Sequence, residues 1–204
     1  MQIINSSFFG NQNYLYIPLA IADPSSSVTN GTELDYLCQK FEREILLNAF
    51  GLSLYNEVKA LTSSTINSVG NERFKKLIEG DEYDGKIWLG LDYDDSLIAN
   101  FIYQQFVTDT DIRLSATGAK KVNPENATNQ TPKYLIAGAQ QNFIKQYQGE
   151  YLFSPIVKGN FIDWYGCNRA EKSLYGYLMD KQADFTNWKP EYFKIYETKN
   201  SFGL

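Results

Sequence analysis

Apolar residues recur at three- and four-residue intervals through most of the first 150 positions, and this periodicity predicts a mainly α chain. Leu34, Leu37, Cys38, Phe41, Ile45 and Ala49 make one stripe, with Glu42, Arg43 and Glu44 on the other side. Thr32 and Asp35 give this helix a capping-box-like start, and Gly51 is placed to end it. A second helix is expected from Ser53 to Leu61, burying Leu54, Tyr55, Val58 and Leu61. After a polar loop, Asn71 is read as the cap of a short helix, Glu72 to Glu79, closed by Gly80.

The period then changes. From Tyr83 to Leu91 the residues alternate, with Ile87, Leu89 and Leu91 on one side and Lys86 and Trp88 on the other, which predicts a short hairpin or extended segment. Helical spacing returns from Asp94 or Asp95 to about Thr108. Its inner face is Leu97, Ile98, Phe101, Ile102, Gln105 and Phe106, apolar enough for a central helix. Residues 113–130 are polar and read as one long loop, of the kind that is usually functional or mobile. Thr131 and Pro132 begin another helix, carrying Tyr134, Leu135, Phe143, Ile144 and Tyr147 and ending at Gly149.

The ends of the chain are less regular. Residues 1–31 read as an extended N-terminal arm, with a short strand at Tyr14–Ile17 and a loop at Asp23–Ser27. Residues 150–204 read as a C-terminal extension: an edge strand or arm at Tyr151–Val157, a helix from about Ala170 to Lys181, and an aromatic tail. The fold expected is a small helical bundle of about five helices over residues 32–149, with a short hairpin, a long loop and an extended arm at each end. An aromatic tail without its own periodicity must pack on something, either its own domain or a neighbouring subunit. Phe185, Trp188, Tyr192, Phe193, Tyr196 and Phe202 are therefore candidate interface residues.

Composition narrows the chemistry. The chain of 204 residues has no histidine, which removes the commonest general base, most nucleophilic triads and most zinc sites. No phosphate-binding glycine loop or dinucleotide fingerprint occurs. Asp81, Glu82 and Asp84, and Asp92, Asp94 and Asp95, are the acidic clusters that a hard cation would need. They lack the spacing of a calcium loop, and turns or helix starts that favour negative charge explain them more simply. Glu42 and Glu44 are a weak pair for a carboxylate-only hydrolase, because their side chains diverge on a helix. No catalytic, cofactor-binding or metal-ligating residue is expected, and no cofactor.

A net charge of −5 argues against a surface built to grip phosphates. Lys120 and Lys121, in the long loop, are candidates for contact with a neighbouring subunit rather than with DNA. Cys38 lies on an apolar stripe and Cys167 is far from it, so a disulfide framework is not expected. Asn-x-Ser/Thr triplets at Asn5, Asn30, Asn126 and Asn129 are expected by chance in a chain so rich in these residues. No signal peptide and no membrane span are expected.

Several runs together carry a resemblance. They are FEREILLNAFGLSLYNEVKA (Phe41 to Ala60), RFKKLIEGDEYDG (Arg73 to Gly85), GLDYDDSLIANFIYQQFV (Gly90 to Val107), TGAKKVNPENA (Thr117 to Ala127) and IKQYQG (Ile144 to Gly149). In this order, over roughly residues 33–149, they resemble the head-tail connector (adaptor) proteins of tailed bacteriophages, in the version found in phages of Bacteroidetes, including crAss-like phages. The resemblance implies a non-enzymatic virion protein, assembled in the host cytoplasm into a neck ring of usually twelve copies. Its partners would be itself, the portal protein and tail or further neck-ring proteins, with DNA passing through the lumen without specific binding. Another neck or tail component, such as a tail-completion or terminator subunit, is the alternative. A carbohydrate- or protein-binding module is a more distant one, since it would predict a mostly β chain and a secretion signal. Residues 150–204 lie outside the resemblance.

Overall fold

The computed structural model describes residues 2–10, 15–17, 20, 31–62, 64–115, 118–121, 133–149 and 171–196. Within them the chain is mainly helical. The long first helix, α1 (Gly31–Ala60), is broken at Gly51, whose φ of 69° and ψ of 171° lie in a region only glycine occupies readily. The expected pair of helices is thus one long element with a break between its halves. A side chain at position 51 would also meet the Tyr192 ring, 2.8 Å from where its Cβ would stand. Leu34, Cys38, Ile45, Ala49, Phe50 and Leu54 are buried along the inner side.

Helix α2 (Glu72–Glu79) falls where the periodicity placed it and buries Phe74, Leu77 and Ile78. Asn71 stands at its start without a side-chain cap bond; its Nδ2 donates instead to the Thr65 carbonyl at 2.8 Å. The antiparallel hairpin β1 (Asp81–Tyr83) and β2 (Lys86–Trp88) follows, with Asp81 opposite Trp88 and Tyr83 opposite Lys86. Asp84 and Gly85 both have positive φ, 48° and 73°, as the tightest hairpin turns require. The facing expected from alternation is reversed at Trp88, which is buried while Ile87 is half-buried. The indole explains this. It stacks on Tyr177 at 5.4 Å, and its N–H donates to the Leu77 carbonyl at 2.9 Å.

Helix α3 (Leu97–Asp111) is central. Leu97, Ile98, Phe101, Ile102 and Phe106 are buried as expected, and Ala99, Asn100 and Tyr103 are buried as well. It packs mainly on α4 (Lys133–Gln148), through Phe101 and Phe143 with centroids 4.8 Å apart, and on α1 through Phe41. The expected 113–130 loop is corrected in its first part. Residues Ile112–Ser115 (β3) and Gly118–Lys121 (β4) form a second antiparallel hairpin that continues from α3. Helix α5 (Leu174–Asp180) starts at Ser173, whose hydroxyl accepts from the Gly176 N–H at 3.1 Å.

Both ends of the described chain join the same core. Ile4, Phe9, Leu15 and Ile17 are buried against it. Residues 6–10 form a 3-10 turn, and no strand occurs among the described residues 15–17, contrary to the strand expected there. The C-terminal segment crosses α1 at its break. Trp188 Nε1 donates to the Ala49 carbonyl at 2.8 Å, and the Lys194 N–H donates to the Asn48 carbonyl at 2.8 Å. Gln148 then brackets Tyr196, accepting from its N–H at 2.8 Å and donating to its carbonyl at 2.9 Å.

Replacing Gly51 by Ala should cost about 1–3 kcal/mol, from strained backbone and the crowded Tyr192 ring. Trp188→Phe, which keeps a ring but drops the donor to Ala49, should cost about 1 kcal/mol more than its lost contact area. Chemical denaturation of both variants checks these values, and wild-type stability in either would contradict the account of the break.

Candidate functional site

The buried carboxylates hold the chain together. Glu42, only 6% exposed, accepts from the Ile3 and Ile4 N–H groups at 2.9 Å each through one oxygen. Asp35 does the same for Ser6 at 2.8 Å. The N-terminal segment is therefore fastened to α1 by two acids about two turns apart on the helix. Burial pushes the Glu42 carboxyl up to about 7; the Ile4 and Ile3 amides oppose this and Asp92 adds to it.

Beside Glu42 lies an open cleft of about 290 Å³, lined in part by Gln2, Gln39, Arg43, Tyr55 and Lys59. Among the described residues that line it, Glu42 is the one carboxylate, so these residues do not form the facing acid pair that carboxylate catalysis uses. Glu44 is exposed on another side of the helix.

The acidic stretch Asp81–Asp84 divides by role. Asp81 is buried between Lys76 at 3.3 Å and Lys181 at 3.5 Å, with the Tyr177 hydroxyl 3.5 Å away. Glu82 is exposed in the middle of β1, opposite Ile87, and Asp84 is exposed at the hairpin turn. Asp180, on α5, takes Lys86 at 2.7 Å, Lys172 at 3.5 Å and the Tyr83 hydroxyl at 3.1 Å. Partial burial would raise the Asp180 carboxyl, but Lys86, Lys172 and Tyr83 outweigh it and hold the group below its ordinary range. These ion pairs tie α5 to the first hairpin, a tie continued by the Lys172 N–H donating to the Ile87 carbonyl at 2.8 Å. In the second stretch, the Asp95 carbonyl accepts from Gln146 at 2.7 Å and its carboxylate from Asn100 at 2.7 Å, while Asp92 and Asp94 are exposed. Among the described residues no three acids or cysteines are grouped as a metal would need.

The sequence-derived interface residues separate into three sets. Phe185, Trp188 and Phe193 are buried in the chain's own core, at 1%, 1% and 7% exposure, so of the two partners the sequence left open for them, its own domain or a neighbouring subunit, these three rings take the first. They are covered by α1, α2, α4 and α5: Phe185 meets Phe74 and Tyr177, Trp188 meets Tyr175, and Phe193 meets Tyr147 at 4.4 Å. Tyr196 is half-buried against Phe101, Phe143 and Tyr147, its hydroxyl accepting from Asn48 Nδ2 at 2.7 Å. Tyr192 remains 45% exposed over Gly51, next to exposed Leu52. Lys120 and Lys121 lie on β4, opposite Arg113 and Ile112. Phe202 lies outside the described residues, as do Cys167, Asp23–Ser27 and Tyr151–Val157.

Two features escaped the sequence. Arg113 joins Lys120 across one rung of a ladder, and its only signal was a Thr-Gly pair between two short runs. Glu42 looked like an exposed helix position, and only the fold of the N-terminal segment buries it. No helix of the described residues is long and apolar enough to cross a membrane. Comparison with protein-family models, with curated proteins and with solved structures finds no match for this chain.

Glu42 makes a pH prediction. Its carboxyl holds its proton more tightly folded than unfolded, so its contribution is whole below about 4.5 and is lost as pH rises through about 7. Wild type should therefore lose about 1–3 kcal/mol relative to Glu42→Gln between about pH 5 and pH 8. Parallel stability curves for the two proteins would contradict it.

Proposed function

We propose that this chain is a structural, non-enzymatic subunit of a head-tail connector ring in a tailed phage, joining the portal to the tail and extending the DNA channel. The reading begins from the resemblance of residues 33–149. The observation that carries it furthest is the β3–β4 hairpin. It follows directly on the central helix, its substantial packing among the described elements is on α3 alone, and its register sets Arg113 opposite Lys120 in a chain of net charge −5. A subunit that meets copies of itself needs such an element; an isolated enzyme does not.

The electrostatics favour the same reading. The acids that are buried serve the fold: Glu42 and Asp81 are both engaged by the chain itself. A net charge of −5 suits a wall past which DNA slides without being held. The aromatic C-terminal segment supports the ring indirectly, by giving each subunit a firm core rather than by forming the contact.

Native mass spectrometry and negative-stain microscopy of the purified, concentrated chain test this. The expected result is one closed ring, of about twelve copies, with an open centre. A chain that stays monomeric at every concentration, or that forms only open filaments, would overturn the reading.

A further inference from the structure

The break at Gly51 brings the two halves of α1 to one cleft. Glu42, Arg43 and Leu46 line it from before the break, and Tyr55, Val58 and Lys59 line it from after. The first three lie three and four residues apart, so Glu42 projects from the same helix face as its neighbours in the cleft. Both amides that bind Glu42, those of Ile3 and Ile4, reach a single oxygen, Oε2. Oε1 takes no bond from the described residues, and it is not among the unpartnered atoms sealed in the interior, so it opens on solvent. Glu42 is nevertheless 94% covered, with a residual exposure of 6%. A carboxylate so deeply set is poorly hydrated, and an oxygen left to the cleft calls for a donor there.

The remaining lining narrows what that donor belongs to. Arg43 is exposed at the rim and has no carboxylate partner among the described residues, and Lys59 adds positive charge beside it. Leu46, Tyr55 and Val58, all nearly buried, supply an apolar wall. A simple cation would meet Glu42 but be opposed by Arg43 and Lys59. A simple anion would suit the rim and meet the acid. A ligand carrying both charges and an apolar body uses every part. The volume of about 290 Å³ is at the lower end of small-molecule sites, the size of an amino acid rather than of a nucleotide.

We infer that the cleft across the α1 break binds a free α-amino acid with an apolar side chain. Its ammonium sits on Glu42 Oε1, its carboxylate on Arg43, and its side chain along Leu46, Tyr55 and Val58. Such a site stands or falls independently of any ring. It also has a proton signature. Burial raises the Glu42 carboxyl to about 7; the Ile4 and Ile3 amides and the amino-terminal charge oppose this, and Asp92 adds to it. Arg43 and Lys59 are the cations on the cleft side. An ammonium placed against Oε1 favours the ionised carboxylate, so binding below about pH 7 expels a proton and binding above it does not.

Isothermal titration calorimetry of the full chain with L-leucine and L-phenylalanine tests this, in buffers of different ionisation enthalpy. At least one should bind with a Kd on the order of a millimolar or below, releasing up to about one proton at pH 6 and none at pH 8. Leucinamide, which lacks the carboxylate, and N-acetyl-leucine, which lacks the ammonium, should each bind roughly tenfold or more weakly than leucine. Arg43→Gln should weaken leucine by a similar factor and leave leucinamide unchanged. Glu42→Gln, which keeps an acceptor for the Ile3 and Ile4 amides, should weaken leucine and abolish the proton release. Should that variant loosen the N-terminal segment, Arg43→Gln carries the test, since Arg43 is exposed and holds no other element. Wild type that shows no saturable binding of either amino acid up to about 10 mM overturns the inference. Leucinamide binding as tightly as leucine also overturns it, and gives the cleft to the amino end of a peptide. N-acetyl-leucine binding as tightly as leucine overturns it as well, and leaves an anion site at Arg43 alone.

Discussion

The structure depends on how the break in α1 is closed. At Gly51 the helix takes a backbone conformation that no other residue holds cheaply, and the two carbonyls of the turn before it, at Asn48 and Ala49, accept from the Lys194 amide and the Trp188 indole. Residues almost 150 positions apart are thereby joined. The missing Cβ is part of the joint, since Tyr192 lies where it would be. Once the C-terminal segment is anchored there, Phe193 and Tyr196 complete an aromatic group with Phe101, Phe143 and Tyr147, drawn from α3 and α4. The rings that look most like a sticky surface are therefore interior, and each ring pair adds about 0.5–1.5 kcal/mol beyond its buried area.

Charge is divided between inside and outside. Glu42 and Asp35 fasten the N-terminal segment, while Asp81 and Asp180 fasten α5 to the first hairpin through Lys76, Lys86, Lys172 and Lys181. The Asp180 pairing is present above its ordinary carboxylate range and is lost as pH falls below it. Glu42 runs the opposite way and weakens the fold as pH rises.

Much of the helical framework was legible in the sequence, for a definite reason. In α1, α2 and α3 strong apolar periodicity coincides with glycine punctuation at Gly51 and Gly80, so pattern and terminus agree. The first hairpin was only half legible. Asp84-Gly85 is a strong turn signal, but the burial of Trp88 depends on Leu77 and Tyr177, which alternation does not report. The β3–β4 ladder was read as loop because its alternation is short: Ile112 and Leu114 are the only large apolar residues in the two strands, and Gly118-Ala119-Lys120-Lys121 carries no strand signal of its own. For the C-terminal rings the sequence left two partners open, the chain itself or a neighbour, and the choice is made by α1 and α4 far upstream. Glu42 was hidden by its context, between Phe41 and Arg43 on a helix whose neighbours are polar.

Hydrogen exchange on the chain in solution bears most directly on the claim that the C-terminal segment closes the break in α1. The Lys194 amide, which donates to the Asn48 carbonyl, and the Tyr196 amide, which donates to Gln148, should be protected to nearly the same degree as the amides of α3. Exchange at the rate of an open chain across residues 185–196, with α3 still protected, would contradict the account.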